Sequence, residues 1–147
     1  MKIRQLSLVI DNKPGALVGP CRLLGQAGVN MVTLSLAEYE DYGILRLIVA
    51  EWAKAQKLLE ANGYKVSVTD VVAVEVSDRP GGLVDLLTLF EQAGVNVAYM
   101  YAFTERLGDR ALLVFAFDDL DAAITCMTRA GINPVASVNL YDRPVEE

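Results

Sequence analysis

The sequence predicts an α+β protein built as two tandem βαββαβ modules, and three observations carry that reading. First, the stretch DNKPGALVGPCRLLGQAGVN from Asp11 to Asn30 returns as SDRPGGLVDLLTLFEQAGVN from Ser77 to Asn96, with Pro14 aligned to Pro80 and Asn30 to Asn96 at one spacing. An internal repeat of this kind outranks any single-segment reading. Second, segments of strand-like alternation flank each copy in the same order. Third, each segment of helical periodicity ends at a glycine, the residue that closes a helix most readily.

Each element has its own signal. In IRQLSLVI, Leu6, Leu8 and Ile10 fall on one face and Gln5 and Ser7 on the other, which predicts a half-buried strand. Asn-Lys-Pro-Gly breaks it, and Pro14 suits the first turn of the following helix, where its missing N–H would be unpaired anyway. Leu17, Cys21 and Leu24 recur at helical spacing before Gly28. Pro20 is out of place in a helix interior, where it costs ~3 kcal/mol, so an irregular helix start is expected. VNMVTLSLA and ILRLIVA then make two strands joined by a hairpin at EYEDYG, EWAKAQKLLEANG a second helix, and YKVSVTD a fourth strand. The second copy repeats the order with VVAVEVS, GGLVDLLTLFEQAG, VNVAYMYAF, RALLVFAF, DLDAAITCMTRAG and NPVASVNLY.

Right-handed crossovers in such a unit give the ferredoxin-like arrangement, one antiparallel sheet with two helices on one face. The module boundaries are 1–70 and 71–147. Halves of about 70 residues bury only ~60% of their unfolded surface, so pairing as an intrachain pseudo-dimer is expected. On the sheet faces, Leu34, Leu36 and Met100 should point toward the helices. Thr33 and Ser35 are left on a polar open face in the first copy, with Tyr99, Tyr101 and Phe103 on an aromatic one in the second. The aromatic face predicts a contact surface, with self-association as a homodimer the favoured use.

Composition excludes several function classes. The 147 residues are 53% hydrophobic and 22% charged, the profile of a globular chain. The net charge is −6 with scattered basic residues, which argues against nucleic acid, since phosphate neutralisation needs clustered Lys and Arg. No apolar run approaches the ~20 residues of a membrane span, and no signal peptide is evident, so a cytoplasmic protein without a membrane partner is expected. Histidine is absent, which removes the commonest general base and metal ligand. Cys21 and Cys126 align with Leu87 and Leu58 of the other copy and read as reduced core residues. Asp118, Asp119 and Asp121 read as helix-capping acids rather than a metal site. No catalytic residues, metal ligands or cofactor are assigned, and an enzyme is not expected.

The Asn-Lys-Pro-Gly turn between first strand and first helix, followed by Gly-Val-Asn opening the next strand, resembles the ACT domain, a regulatory module that binds amino acids. The resemblance covers essentially the whole chain as two tandem copies. It implies a free amino acid as effector at the interface of two modules, and a partner enzyme of amino-acid metabolism. The residues it points to are Asn12, Lys13, Pro14, Gly15, Ala16, Leu17 and Asn30 in the first copy. In the second they are Asp78, Arg79, Pro80, Gly81, Gly82, Leu83 and Asn96. Physical reasoning supports the turn independently: a helix N-terminus presents free N–H groups to a carboxylate, and glycine admits close approach. Asn12 and Asn30 offer carbonyl oxygens to an ammonium, and the resemblance places both beside one cleft. Asp78 departs from the pattern, because its carboxylate opposes that of a ligand. Helix punctuation alone accounts for the same residues, and a ligand-free subunit acting through its open sheet face is the alternative function.

Overall fold

The computed structural model describes residues 2–103 and 109–135. Its elements run β1 (Ile3–Asp11), α1 (Val18–Gln26), β2 (Met31–Tyr39), β3 (Tyr42–Val49), α2 (Trp52–Ala61), β4 (Val66–Ser77), α3 (Gly82–Gln92), β5 (Val97–Ala102), β6 (Arg110–Phe117) and α4 (Leu120–Arg129). The two strands expected on either side of Asp70 are one 12-residue strand, β4. From Ala136 onward, the last expected strand, NPVASVNLY, lies outside the described residues. Val135 N–H does donate to Ala73 O at 2.8 Å, alongside β4.

The chain forms two compact units, one of Arg4–Thr69 and one running on from Asp70. In the first, the strands lie in the order β2-β3-β1-β4, and in the second β4-β6-β5. The pairings of β1 with β3, β2 with β3, β4 with β6 and β5 with β6 are antiparallel. β2 and β5 each carry a register shift at the same place, between Met31 and Thr33 and between Val97 and Tyr99. The duplication therefore extends to a bulge that no sequence pattern announced.

In the first unit Leu6 pairs with Leu47 and Leu8 with Leu45. These four join Ile10, Leu24 of α1 and Ala55 and Leu59 of α2 in a buried layer. The second unit builds its layer from Val72, Val74 and Val76 with Phe90, Phe115, Ala123 and Met127. Phe90 meets Phe115 and Phe117 edge-on, with centroids 5.7 and 4.9 Å apart, a favourable arrangement of ring quadrupoles. Helices α1 and α3 both return to the sheet through one capping motif. Gly28, at φ +71, donates to Gly25 O, and Val29 N–H reaches Leu24 O. Gly94 at φ +68 and Val95 repeat this on Glu91 and Phe90.

Four expectations change. Pro14 and Leu17 lie in the turn before α1, because that helix begins only at Val18. The delay places Pro20 in the first turn, where its missing N–H costs no helical bond, whereas α3, with Leu86 at that position, starts two residues earlier. Leu34 and Leu36 do lie across from Leu47 and Leu45 on the helix side, but they are 39% and 51% exposed because β2 is the edge strand. The polar face is not open throughout, since Gln5 and Thr33 are buried, as is Ile48 beside Thr33. The aromatic face is not bare either. Tyr99 and Tyr101 are half-buried within one chain, and their cross-strand neighbours Ala116 and Val114 are buried.

The first turn of α3 tests how far the copies have diverged. A Cβ at Gly82 would run into the carbonyl of Ser77, whereas the first copy carries Ala16 there. Gly82→Ala should cost ~1–3 kcal/mol in a denaturant titration, through forced backbone displacement. Ala16→Gly should cost no more than ~1 kcal/mol.

Candidate functional site

The two turns singled out by the sequence occupy equivalent places, each where the first strand of its unit hands over to a helix. In the first, Asn12 N–H donates to Asp41 O at 3.0 Å, carrying the β1–β3 ladder one residue beyond Asp11. Its side-chain Nδ2 donates to Glu40 O at 2.9 Å. Glu40 has φ +31 in the two-residue connection between β2 and β3, so this hydrogen bond pins a backbone conformation that L residues rarely adopt. The turn is flanked by Tyr39 and Tyr42, which stack at 5.1 Å. With the Nδ2 so committed, Asn12 Oδ1 accepts no hydrogen bond among the described residues.

Lys13 pairs with Asp11 at 3.3 Å on an exposed surface, a weak interaction. Pro14 and Gly15 turn the chain, Gly15 at φ +86, and Ala16 N–H closes the turn on Lys13 O at 3.2 Å. Leu17 is the N-cap of α1, where no side chain caps the helix and no acid occupies the first turn. Leu17 and Val18 are exposed and Gly19 is half-buried. The positive end of the helix dipole thus faces outward unneutralised. Tyr64 lies against it: its hydroxyl occupies the space a Cβ at Gly19 would take.

The second turn repeats the frame with different charges. Asp78 N–H donates to Asp109 O at 2.9 Å, matching Asn12 and Asp41. A carboxylate at position 78 supplies no donor for a neighbouring carbonyl. Gly81 is the N-cap of α3 at φ +85, and Gly82 N–H closes on Arg79 O at 3.0 Å. Arg79 Nη2 meets Asp85 Oδ2 at 2.8 Å, and its Nη1 reaches Pro80 O. Asp85 sits in the first turn of α3, where the first copy has Gly19, so this helix carries an acid of its own at its positive end. Leu83 follows Gly82, half-buried against the second core.

The asparagines that open β2 and β5 do not join these turns within a unit. Asn30 precedes Met31, paired with Val49, whereas Asn12 sits at the Glu40–Asp41 connection at the other end of β2. The length of β2 sets them on the order of 25–30 Å apart. Antiparallel pairing through β3 puts the start of β2 at the far end of the sheet, so one unit by itself does not bring Asn12 and Asn30 together. Asn96 donates to Asp118 Oδ2 at 2.8 Å, an interaction Asn30 lacks because Ala50 stands where the second copy has Asp118.

Asp119 caps α4, accepting from Ala122 N–H at 3.0 Å, and Asp121 lies in its first turn and pairs with Lys2 at 3.0 Å. Among the described residues, no cluster of three or more Cys, Asp or Glu is placed to hold a metal ion. Burial pushes the Cys21 thiol up, which favours its protonated form at neutral pH. Among the described residues no helix is long and apolar enough to cross a membrane. A groove of about 560 Å³ lies between α3 and α4, and none of the residues of either turn line it.

No protein of curated function matches the chain by sequence. Among solved structures, the protein BT0572 from Bacteroides thetaiotaomicron is 33% identical, with a TM-score of 0.89 over 97% of this chain and 98% of that one. The regulatory subunit of aspartate kinase from Thermus thermophilus, in a ligand-free form, has the same fold at 16% identity. Its TM-score is 0.64 over 88% of this chain and 93% of that one. The corresponding subunit from Thermus flavus matches at 14% identity and TM-score 0.62, covering 89% of this chain and 94% of that one. The family model for the ACT domain pair matches residues 1–143, and the chain belongs to that family.

Proposed function

We propose that this chain is a non-catalytic sensor of a free amino acid. The ligand carboxylate sits on the N–H groups of Leu17, Val18 and Gly19, its ammonium is taken by Asn12 Oδ1, and occupancy is read by a partner enzyme. The observation that carries the proposal is the first turn itself, which pairs an outward, acid-free helix N-terminus with an amide oxygen left without a donor. A carboxylate gains there from both the dipole and the N–H groups, and an ammonium needs an acceptor close by. Lys13, Pro14, Gly15 and Ala16 shape the seat. The fold shared with aspartate kinase regulatory subunits supports a regulatory role and a partner enzyme.

The second turn, Asp78 to Leu83, is the weaker seat, because Asp78 and Asp85 both oppose a ligand carboxylate. Since Asn12 and Asn30 stand at opposite ends of one unit, a ligand that also touches an asparagine of the Asn30 or Asn96 kind would need its turn and that asparagine from different modules.

A thermal-shift screen of the twenty amino acids at millimolar concentration tests the proposal. A ligand present at ~100 times its Kd adds ~2.7 kcal/mol of apparent stability. A flat screen would favour the ligand-free subunit. Val18→Asp is the sharper variant. Val18 is 47% exposed at the first helical position, so an acid there should hold or raise stability by ~0.3–1 kcal/mol through the helix dipole. Affinity for the amino acid should fall at least ~10-fold, about 1.4 kcal/mol. Unchanged affinity would remove the helix N-terminus from the site. Asn12→Ala should lower affinity ~5-fold or more and also cost ~0.5–1.5 kcal/mol of stability, because it releases Glu40 O. Calorimetry and denaturant titration on one preparation separate the two losses.

A further inference from the structure

The duplication supplies an internal comparison that isolates the groove between α3 and α4. Helix α2 corresponds to α4 and α1 to α3, with equivalent strand pairings and equivalent C-terminal helix ends. In the first unit Lys54 on α2 crosses to the C-terminus of α1. Its Nζ donates to Ala27 O at 3.2 Å and lies 3.4 Å from Glu51 Oε2. Leu58, one turn further along, packs against the core beneath. In the second unit the same two positions carry Ala122 and Cys126. With the lysine and the leucine replaced by smaller side chains, a groove of about 560 Å³ opens, lined in part by Leu89, Ala93, Val95, Ala122, Cys126 and Arg129.

Both ends of the groove are polar and exposed. Ala93 corresponds to Ala27, and its carbonyl, at the C-cap of α3, accepts no hydrogen bond among the described residues. The negative end of the helix dipole adds to its demand for a cation. Arg129, in the last turn of α4, has no ion-pair partner among the described residues. Seven residues separate Ala122 from Arg129, on the order of 10 Å along one helix face. Between them Leu89, Val95 and Cys126 supply apolar surface, beside the polar side chains of Gln92 and Thr125.

We propose that this groove binds an aliphatic primary amine carrying a carboxylate at its far end. The ammonium replaces Lys54 Nζ by donating to the Ala93 carbonyl, the chain lies on the apolar floor, and the carboxylate meets Arg129. This site is separate from the first turn and does not depend on it.

The probe is ε-aminocaproate, with hexylamine and hexanoate as half-ligands, titrated into the full chain by calorimetry. Ala122→Lys restores the residue the first copy carries at that place in an equivalent helix, so the fold should tolerate it. It should lower affinity for ε-aminocaproate at least ~10-fold by filling the ammonium position, and Cys126→Leu should do the same by filling the floor. Arg129→Gln should weaken ε-aminocaproate ~5-fold and leave hexylamine unchanged. Bound probe should also slow alkylation of Cys126 without slowing that of Cys21. Absence of binding at ten millimolar, equal affinity in Ala122→Lys, or hexylamine binding as tightly as ε-aminocaproate would each overturn the proposal. Loss of this binding in Val18→Asp would overturn it as well, by moving the probe to the first turn. Retention in Val18→Asp supports the groove whatever becomes of amino-acid binding there.

Discussion

Two helices can cover a small sheet only if each is stopped and turned back at the right residue, and this constraint governs everything else in either unit. The apolar side of β1 and β3 needs Leu24 and Leu59 above it, and that of β4 and β6 needs Phe90 and Met127. Glycines in the left-handed conformation end α1 and α3 at equivalent residues and send the chain into β2 and β5. At the other end, strand hydrogen bonds from Asn12 and Asp78 fix where the chain leaves the sheet. With both ends determined by the buried layer, the start of α1 is left exposed at Leu17 and Val18. The exposure of Leu17 and Val18 is thus a by-product of covering the sheet.

Duplication then let one frame carry two chemistries. Asn12 and Asp78 share a backbone hydrogen bond to the opposite connection, but only asparagine can also hold a carbonyl through its side chain. Gly19 leaves the dipole of α1 open, while Asp85 partly neutralises that of α3 and is itself bound by Arg79. Lys54 reaches from α2 to the carbonyl of Ala27 on α1, while Ala122, at the equivalent place on α4, lines a groove instead. None of these exchanges disturbs the buried layers, because each concerns a partly or wholly exposed position, where substitution costs little stability.

Much of this was legible in the sequence, for physical reasons that can be named. The repeat, the alternation of Leu6, Leu8 and Ile10, and the glycine at the end of each helix are local signals, and the structure keeps them. The capping role of Asp119 followed in the same way from acids placed before a helical run. What escaped was set by neighbours distant in sequence. Leu34 and Leu36 face the helix side as their alternation implies, but only the strand order shows that they sit at an edge. The burial of Gln5, Thr33 and Ile48 is likewise invisible to a pattern read one strand at a time. A motif lists Asn12 and Asn30 together, and only antiparallel pairing through β3 shows that one unit by itself sends them to opposite ends of its sheet. Pro20 gave a partial signal: an irregular start was expected, and the resolution was a shorter helix.

The central claim is that a ligand carboxylate docks on the first turn of α1 and not on its twin. Backbone amide chemical shifts, followed while a free amino acid active in the thermal screen is titrated into the full chain, test it most directly. The account predicts saturable shifts at Leu17, Val18 and Gly19 that share one dissociation constant with the Asn12 side-chain amide, and much weaker shifts at Leu83 and Val84. Saturable binding that leaves those three amides unmoved, or that moves Leu83 and Val84 instead, would contradict it.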